Sequence, residues 1–336
     1  MKRKILLIAT GGTIASRYTK EGLSPGIPGE ELLSYVPEYR EFCEVDIVTP
    51  FYLDSTNLFW KHWLLLAEVI RDYYDRYDGF VICHGTDTMA YTAAALSYLV
   101  QNSRKPVIVT GSQRPIDLPV TDARSNLLDS LRFASHERAH DVSIVFGGQV
   151  IAGTRAKKER TKSYNAFSSI NYPPIAMIQD KRIIFYIDDA DKVTGAVQFS
   201  DSLEPRVFLY KLIPGSSGSL LETLIHDYEA VIIESFGVGG IPHYEDDSFR
   251  KAILNWRNAG KRVVMATQVT HEGSDMSVYE VGQAMKEICR LPESYDMTLE
   301  AVIAKTMWIL GKTKDPDEFD RLFYTCINHD ILFSPS

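Results

Sequence analysis

Short runs rich in valine and isoleucine alternate with longer amphipathic runs through residues 1–146, and this alternation narrows the fold more than any other feature. Residues 4–10, 45–49, 79–83, 106–110 and 141–146 read as strands. Continuous apolar runs of this kind suit parallel strands covered on both faces. Between them, residues 59–77 place Trp60, Trp63, Leu64, Ala67 and Ile70 at helical spacing. Residues 88–101 follow Asp87, a suitable N-cap, and 122–133 form a third helical pattern. A β-α-β series of this type closes through right-handed crossovers into a doubly wound sheet.

The pattern changes after Phe146. Residues 149–153 and 182–186 read as short antiparallel strands, and 188–205 is polar without a helical period. A second block follows, with strands at 206–212, 230–235 and 262–267. Its helical patterns lie at 219–228, 246–259, 276–290, 298–310 and 315–326. The expectation is therefore two α/β domains. A larger N-terminal domain, 1–187, holds a doubly wound, mostly parallel sheet; a linker, 188–205, leads to a smaller C-terminal parallel-sheet domain, 206–336. A length of 336 residues agrees with two domains of about 150 each.

Charge and cysteine usage remove several function classes. The net charge is −8, and the densest basic run, Lys157 to Lys162, is short and interrupted by Glu159. A nucleic-acid binder needs a broad basic field, so no nucleic-acid partner is expected. Cys43, Cys83, Cys289 and Cys326 are far apart with no C-x-x-C pair, which leaves no zinc-site spacing and suits reduced thiols in a cytoplasmic protein. The basic-then-apolar start resembles a signal peptide, but its apolar run stops at Gly11-Gly12, as a buried first strand would. No stretch approaches the length of a membrane span, so no membrane partner is expected.

In open α/β sheets, ligands bind beyond the carboxyl ends of the strands, and the polar motifs fall there. Thr10-Gly11-Gly12-Thr13 follows the first strand, Asp54-Ser55-Thr56-Asn57 lies between the second strand and the helix after it, and His84-Gly85-Thr86-Asp87-Thr88 follows the third. Thr110-Gly111-Ser112-Gln113-Arg114-Pro115 follows the fourth. The glycines allow a tight turn and close approach of a ligand, yet neither phosphate-loop pattern is present. Helix N-terminal amides near Thr86 can hold an anion, although one cap needs only one of Thr86 and Asp87. Further on, Arg160-Thr161-Lys162-Ser163 precedes Asn165-Ala166-Phe167-Ser168-Ser169; a lone lysine there is ordinarily a solvated charge, and a base only if desolvated.

Together these segments resemble the bacterial type I, cytosolic L-asparaginases of the asparaginase/glutaminase family. The two signatures are Thr10-Gly11-Gly12-Thr13-Ile14 and His84-Gly85-Thr86-Asp87-Thr88, and the likeness runs from Thr10 to Asp315. It implies hydrolysis of L-asparagine to aspartate and ammonia, with no metal or organic cofactor, by a homodimer or homotetramer. It implies Thr13 as the nucleophile that forms an acyl-enzyme, with Thr86 on the other side of the amide, activated by Lys162 and oriented by Asp87. Among three nearby lysines, Lys162 fits the family position because it follows Arg-Thr and precedes Ala-Phe-x-Ser. Gly12 and Thr86 amides would stabilise the oxyanion; Asp54, Ser55 and Thr56 would hold the α-carboxylate end, and Asp87 the α-ammonium.

Three positions depart from the family. Leu23 stands where many members carry a tyrosine, which leaves Tyr279 or Tyr18 to assist Thr13. Glu234 and Val269 replace an arginine and a cysteine that line an effector site, so substrate cooperativity is not expected. Thr267 and Gln268 either contact a neighbouring subunit's site or close a turn, and the second, structural reading is favoured. The competing readings are a dual asparaginase–glutaminase, since a single methylene is discriminated by only about 1–3 kcal/mol, an amidotransferase subunit with a further N-terminal domain, and a non-catalytic amino-acid-binding protein on the same fold.

Overall fold

The first apolar run, Ile5 to Ala9, is fully buried, and a computed structural model of the chain places it inside a sheet. The structure describes residues 2–20, 22–190, 193–243, 247–278, 283 and 291–333. The chain divides into two units, Met1–Asp201 and Ser202–Ser336.

In the first unit the strands in chain order are β1 (Arg3–Ala9), β2 (Ser16–Thr19), β3 (Gly22–Pro25), β4 (Cys43–Val48), β5 (Gly79–Cys83), β6 (Val100–Gln101) and β7 (Val107–Thr110). They continue with β8 (Val142–Phe146), β9 (Gln149–Ala152), β10 (Ala156–Lys158), β11 (Phe167–Ser169), β12 (Ala176–Gln179), β13 (Arg182–Phe185) and β14 (Gln198–Phe199). Eight of them form one sheet in the order β13-β12-β9-β8-β7-β5-β1-β4. The pairings from β4 to β8 are parallel, and those from β8 to β13 are antiparallel. Every residue of β5, β7 and β8 is buried, as strands covered on both faces require.

The helices Trp60–Tyr73, Met89–Leu99 and Ala123–Ala134, with the one-turn helix Gly29–Leu32, belong to this unit. The expected helix 59–77 ends early because its last turn tightens into a 3-10 turn, Tyr74–Arg76. The short hairpin β10–β11 has no apolar run to announce it, so tertiary pairing makes it a strand pair; β12, in the apolar run Ile175–Ile178, pairs with β9 and β13. The stretch read as a linker, 188–205, is not all connector: Gln198 and Phe199 pair with Gln101 and Val100, and the Phe199 ring lies 5.6 Å from Tyr74.

The second unit has a three-stranded parallel sheet of β15 (Val207–Lys211), β16 (Ala230–Ser235) and β17 (Arg262–Thr267). Helices Ser219–Leu224, Ser248–Asn258, Leu299–Lys312 and Pro316–Tyr324 belong to it. Trp256 is fully buried in its core and donates Nε1–H to Leu221 O at 2.8 Å. The result is the expected pair of α/β units, the larger with a mostly parallel sheet and the smaller with a parallel one. Of the expected helix 276–290, the part Met276–Val278 is a 3-10 turn, and nearly all the rest, Tyr279 included, lies outside the described residues. Among the described residues, no helix is long and apolar enough to cross a membrane.

Candidate active site

Where β1 and β7 end, threonines extend the ladder with side chains. Thr10 Oγ1 donates to Cys83 O at 2.8 Å, and Thr110 Oγ1 to Val145 O at 2.7 Å. The two loops that follow β1 and β5 then touch backbone to backbone. Gly12 has φ 76°, and a Cβ there would fall 2.4 Å from Gly85 N. Only glycine fits both the left-handed conformation and the contact. The residues directly after the touching glycines are Thr13 and Thr86, so the sheet brings the two hydroxyl-bearing motifs together. A Cβ on Gly85 would in turn lie 2.5 Å from Ser55 Oγ, which adds the third motif to the cluster. Thr13 opens the 3-10 turn Thr13–Ala15 and is half-buried; Ser16 Oγ closes that turn on Gly12 O at 2.9 Å.

The lysine of the cluster is Lys158, not Lys162. Lys158 Nζ donates to Thr86 Oγ1 at 2.8 Å and to Asp87 Oδ1 at 2.6 Å. Thr86 is buried, while Asp87 reaches solvent. Lys162 is exposed in the loop between β10 and β11, where both Glu159 N and Arg160 N turn back to Ala166 O. Strand geometry explains the difference. Side chains alternate along β10, so Lys158 shares a face with the buried Ala156; Lys162 lies beyond the pairing.

The remaining expected residues divide. Asp54 caps the 3-10 turn Ser55–Asn57, its Oδ1 accepting from both Thr56 N and Thr56 Oγ1 at 2.9 Å. Asp54 and Thr56 thus spend polar atoms on each other, and Ser55 is the buried member of that motif. Ser55 O accepts from Thr88 Oγ1 at 2.9 Å, which fastens the turn to the loop after β5. The hairpin β2–β3 after the Thr13 turn sets Tyr18 opposite Leu23 along the backbone; their side chains lie outside the described parts. Gln268 donates to Leu212 O at 2.6 Å and Glu234 O at 3.0 Å, the structural use expected of it.

Two features were not anticipated. His84 is fully buried, and Trp63 Nε1 donates to Thr92 Oγ1 at 3.0 Å. Thr92 Oγ1 then lies 2.9 Å from His84 Nε2, and His84 Nδ1 lies 2.6 Å from Gly85 O. A carbonyl only accepts, so this chain assigns the proton to Nδ1 and leaves Nε2 to accept. Burial pushes the imidazole down to about 4, which agrees with the neutral ring. Asp122 is also buried, and burial raises it above the usual carboxylate range, while Gln113 N at 2.8 Å and Arg114 N at 3.1 Å donate to it. Its place just ahead of a helix was the only sequence signal for it. Among the described residues, no group of three His, Cys, Asp or Glu side chains could hold a metal ion.

Residues 4–190 match the family model described as asparaginase, N-terminal, and residues 206–323 match the glutaminase/asparaginase C-terminal domain. The chain belongs to the asparaginase/glutaminase family. Within that family it is similar to an L-asparaginase of Thermococcus kodakarensis, 34% identical over 98% of this chain and 100% of the relative. It is also similar to a glutamyl-tRNA(Gln) amidotransferase subunit of Pyrococcus furiosus, 36% identical over 96% of this chain and 75% of the relative. Among solved structures, the thermostable T. kodakarensis L-asparaginase superposes with a TM-score of 0.92 at 34% identity, covering 98% of this chain and 100% of that one. L-asparaginase I of Vibrio cholerae gives 0.88 at 29% identity, covering 99% and 100%. Family relatives with two different names thus stand at similar identity, and the narrower bacterial type I assignment is not separated from them.

Proposed function

We propose that the protein hydrolyses L-asparagine to L-aspartate and ammonia through an acyl-enzyme on Thr13. The observation that carries this reading is the Lys158–Thr86–Asp87 cluster, set beside the Gly12–Gly85 contact that brings Thr13 and Thr86 together. A threonine hydroxyl is a weak nucleophile and needs a partner that takes its proton. In the proposed sequence Thr13 Oγ attacks the side-chain amide carbon, and the proton it loses goes to the leaving nitrogen. The C–N bond breaks, ammonia departs, and water then cleaves the aspartyl ester. Thr86, hydrogen-bonded to Lys158, passes protons in this scheme, and Asp87 holds the lysine and receives the substrate α-ammonium. Ser55 is the member of its motif best placed for the α-carboxylate end, with Asp54 and Thr56 shaping the turn that presents it. Amides near Gly12 and Thr86 would bind the oxyanion. Tyr279 remains the proposed assistant to Thr13. We also infer a cytoplasmic homodimer or homotetramer that needs no cofactor.

The test is ammonia release from L-asparagine and L-glutamine by wild type and Thr13→Ala. Release from asparagine that falls by about 10⁴-fold in the variant supports the reading. Survival of the rate would move the nucleophile to Thr86. Comparable release from glutamine would make the protein a dual asparaginase–glutaminase, and no release from either amide would favour a binding protein. The amidotransferase relatives support a second reading, an amide-hydrolysing chain that supplies ammonia to a partner; efficient turnover of free asparagine by the chain alone would argue against it.

A further inference from the structure

Gln113 lies between the lysine hairpin and Thr86. Its Nε2 donates to Arg160 O at 3.3 Å and to Ser163 O at 3.2 Å. Carbonyls only accept, so these contacts fix which way the amide faces and turn Oε1 the other way. There it meets Thr86 Oγ1 at 3.5 Å, a long contact in which the threonine is the donor. The Lys158 ammonium donates to the same Oγ1, so the threonine's own hydrogen must point away from Lys158. The Gln113 main chain is itself anchored, since Gln113 N and Arg114 N both donate to Asp122. Asn126 Nδ2 reaches Asp122 Oδ2 at 3.3 Å and Gly111 O at 2.9 Å, while Asn126 Oδ1 accepts from Gly147 N at 2.9 Å. A well-braced base therefore presents one oriented amide to two partners: a threonine hydroxyl and the loop that follows Lys158.

We propose that Gln113 is a positioning residue: its carbonyl oxygen orients the Thr86 hydroxyl, and its amide nitrogen ties the loop after Lys158 to that hydroxyl. With Gln113 in place, the lone pairs of Thr86 face Lys158 and the reacting centre. Without it, the hydroxyl rotates and residues 159–163 lose their link to the site. This inference rests on the proposed Thr13–Thr86–Lys158 chemistry.

The experiment compares wild type, Gln113→Met and Gln113→Glu, with Thr13→Ala and Lys158→Met as controls. It reads kcat and KM for L-asparagine and the thermal midpoint. Gln113→Met keeps the volume and removes the hydrogen bonds; its kcat is expected to fall about tenfold to 100-fold, as misplacement of a reacting group does, with little change in KM. Gln113→Glu cannot donate to the two carbonyls of Arg160 and Ser163. Because it keeps an oxygen that can accept from Thr86 Oγ1, its kcat should fall less than that of Gln113→Met. A kcat for Gln113→Met within about twofold of wild type overturns the proposal. So does a kcat loss in Gln113→Glu as large as that in Gln113→Met, or a loss matched by a collapse of the thermal midpoint in both variants. If Thr13→Ala and Lys158→Met retain the wild-type rate, the functional reading fails instead, whatever Gln113 does.

Discussion

Lys158 Nζ stands 2.6 Å from Asp87 Oδ1 in the first α/β unit, and Lys305 Nζ stands 2.7 Å from Asp330 Oδ2 in the second. The two lysine–aspartate pairs match in length, and their surroundings differ. Asp87 is 59% exposed and its lysine also touches the hydroxyl of Thr86, whereas Lys305 and Asp330 are both 0% exposed. Lys305 gives a further hydrogen bond to Thr325 O at 2.7 Å, just past the helix Pro316–Tyr324, and Asp330 accepts from Ile327 N at 2.9 Å. One pair borders solvent beside the hydroxyl of Thr86; the other is sealed and fastens the segment that follows that helix.

The strand ends of the two sheets differ in the same way. In the second unit Ser235 Oγ donates to Ala266 O at 2.6 Å, Thr267 Oγ1 donates to Gly237 O, and Gln268 spends its amide on two carbonyls. In the first unit Thr10 and Thr110 do comparable structural work, but Thr13, Ser55 and Thr86 sit at glycine contacts that free them from the ladder. A polar residue at a strand end is thus no functional signal by itself. What sets the proposed site apart is a polar residue placed at a backbone contact that only glycine permits.

The largest expected effect breaks the first pair. Lys158→Met should lower kcat/KM for asparagine by about 10³-fold, the usual worth of a positioned proton-transfer partner. Its thermal midpoint should change little, because a partly solvated ion pair contributes about 0–1 kcal/mol. Lys162→Met should keep the wild-type rate. Steady-state kinetics and a thermal melt on the two variants decide this, and a rate loss in Lys162→Met alone would reverse the assignment of the lysine.

Breaking the second pair should give the opposite pattern. Lys305→Met leaves Asp330 buried without its cation, which costs about 3–5 kcal/mol. Urea unfolding should show that loss, while kcat per folded molecule stays unchanged. A variant that unfolds normally yet loses activity would mean that the sealed pair serves the reaction.

The parts of this design that were legible in the sequence are those whose signal is local. Parallel strands buried on both faces must be continuous apolar runs, so β1, β5, β7 and β8 could be read directly, and with them the loops bearing Thr13 and Thr86. Lys158 could not be read, because its selection depends on a three-residue strand that exists only when Ala156–Lys158 meets Phe167–Ser169. Matching the flanking residues pointed to Lys162, four positions further on and exposed. The Asp122–Gln113 support was hidden for a similar reason: a carboxylate that accepts amides nine residues earlier looks like an ordinary helix start. Tyr279 and the side chains of Tyr18 and Leu23 fall outside the described residues.

A smaller effect separates buried from solvated titration. His84 is neutral in the fold, at about 4, against an ordinary value of 6.5. The unfolded chain therefore takes up a proton that the folded one refuses as pH falls through that window. Stability from this group is whole above about pH 6.5 and is lost progressively toward pH 4, by about 3 kcal/mol in all. Urea midpoints at pH 7 and pH 4.5 for wild type and His84→Gln should show a flatter dependence in the variant. Equal slopes would mean that the imidazole is charged inside the fold.

The smallest expected effect is an absence of curvature. Glu234, next to last in β16, is buried, with Lys211 Nζ 3.3 Å from its carboxylate, and Val269 is an exposed aliphatic side chain. The resemblance places an arginine and a cysteine of an effector site at these positions. An amino-acid effector that presents its carboxylate here would meet a like charge in place of a guanidinium, and at Val269 it would meet no polar group. Coupling between sites needs an effector that binds one state better than another, and these side chains remove the contacts that would supply the difference. Initial rates across a wide asparagine range should then fit a hyperbola with a Hill coefficient of about 1. A clearly sigmoidal curve would require an effector site built from other residues, and Lys211→Ala, which unpairs Glu234, would leave that curve unchanged.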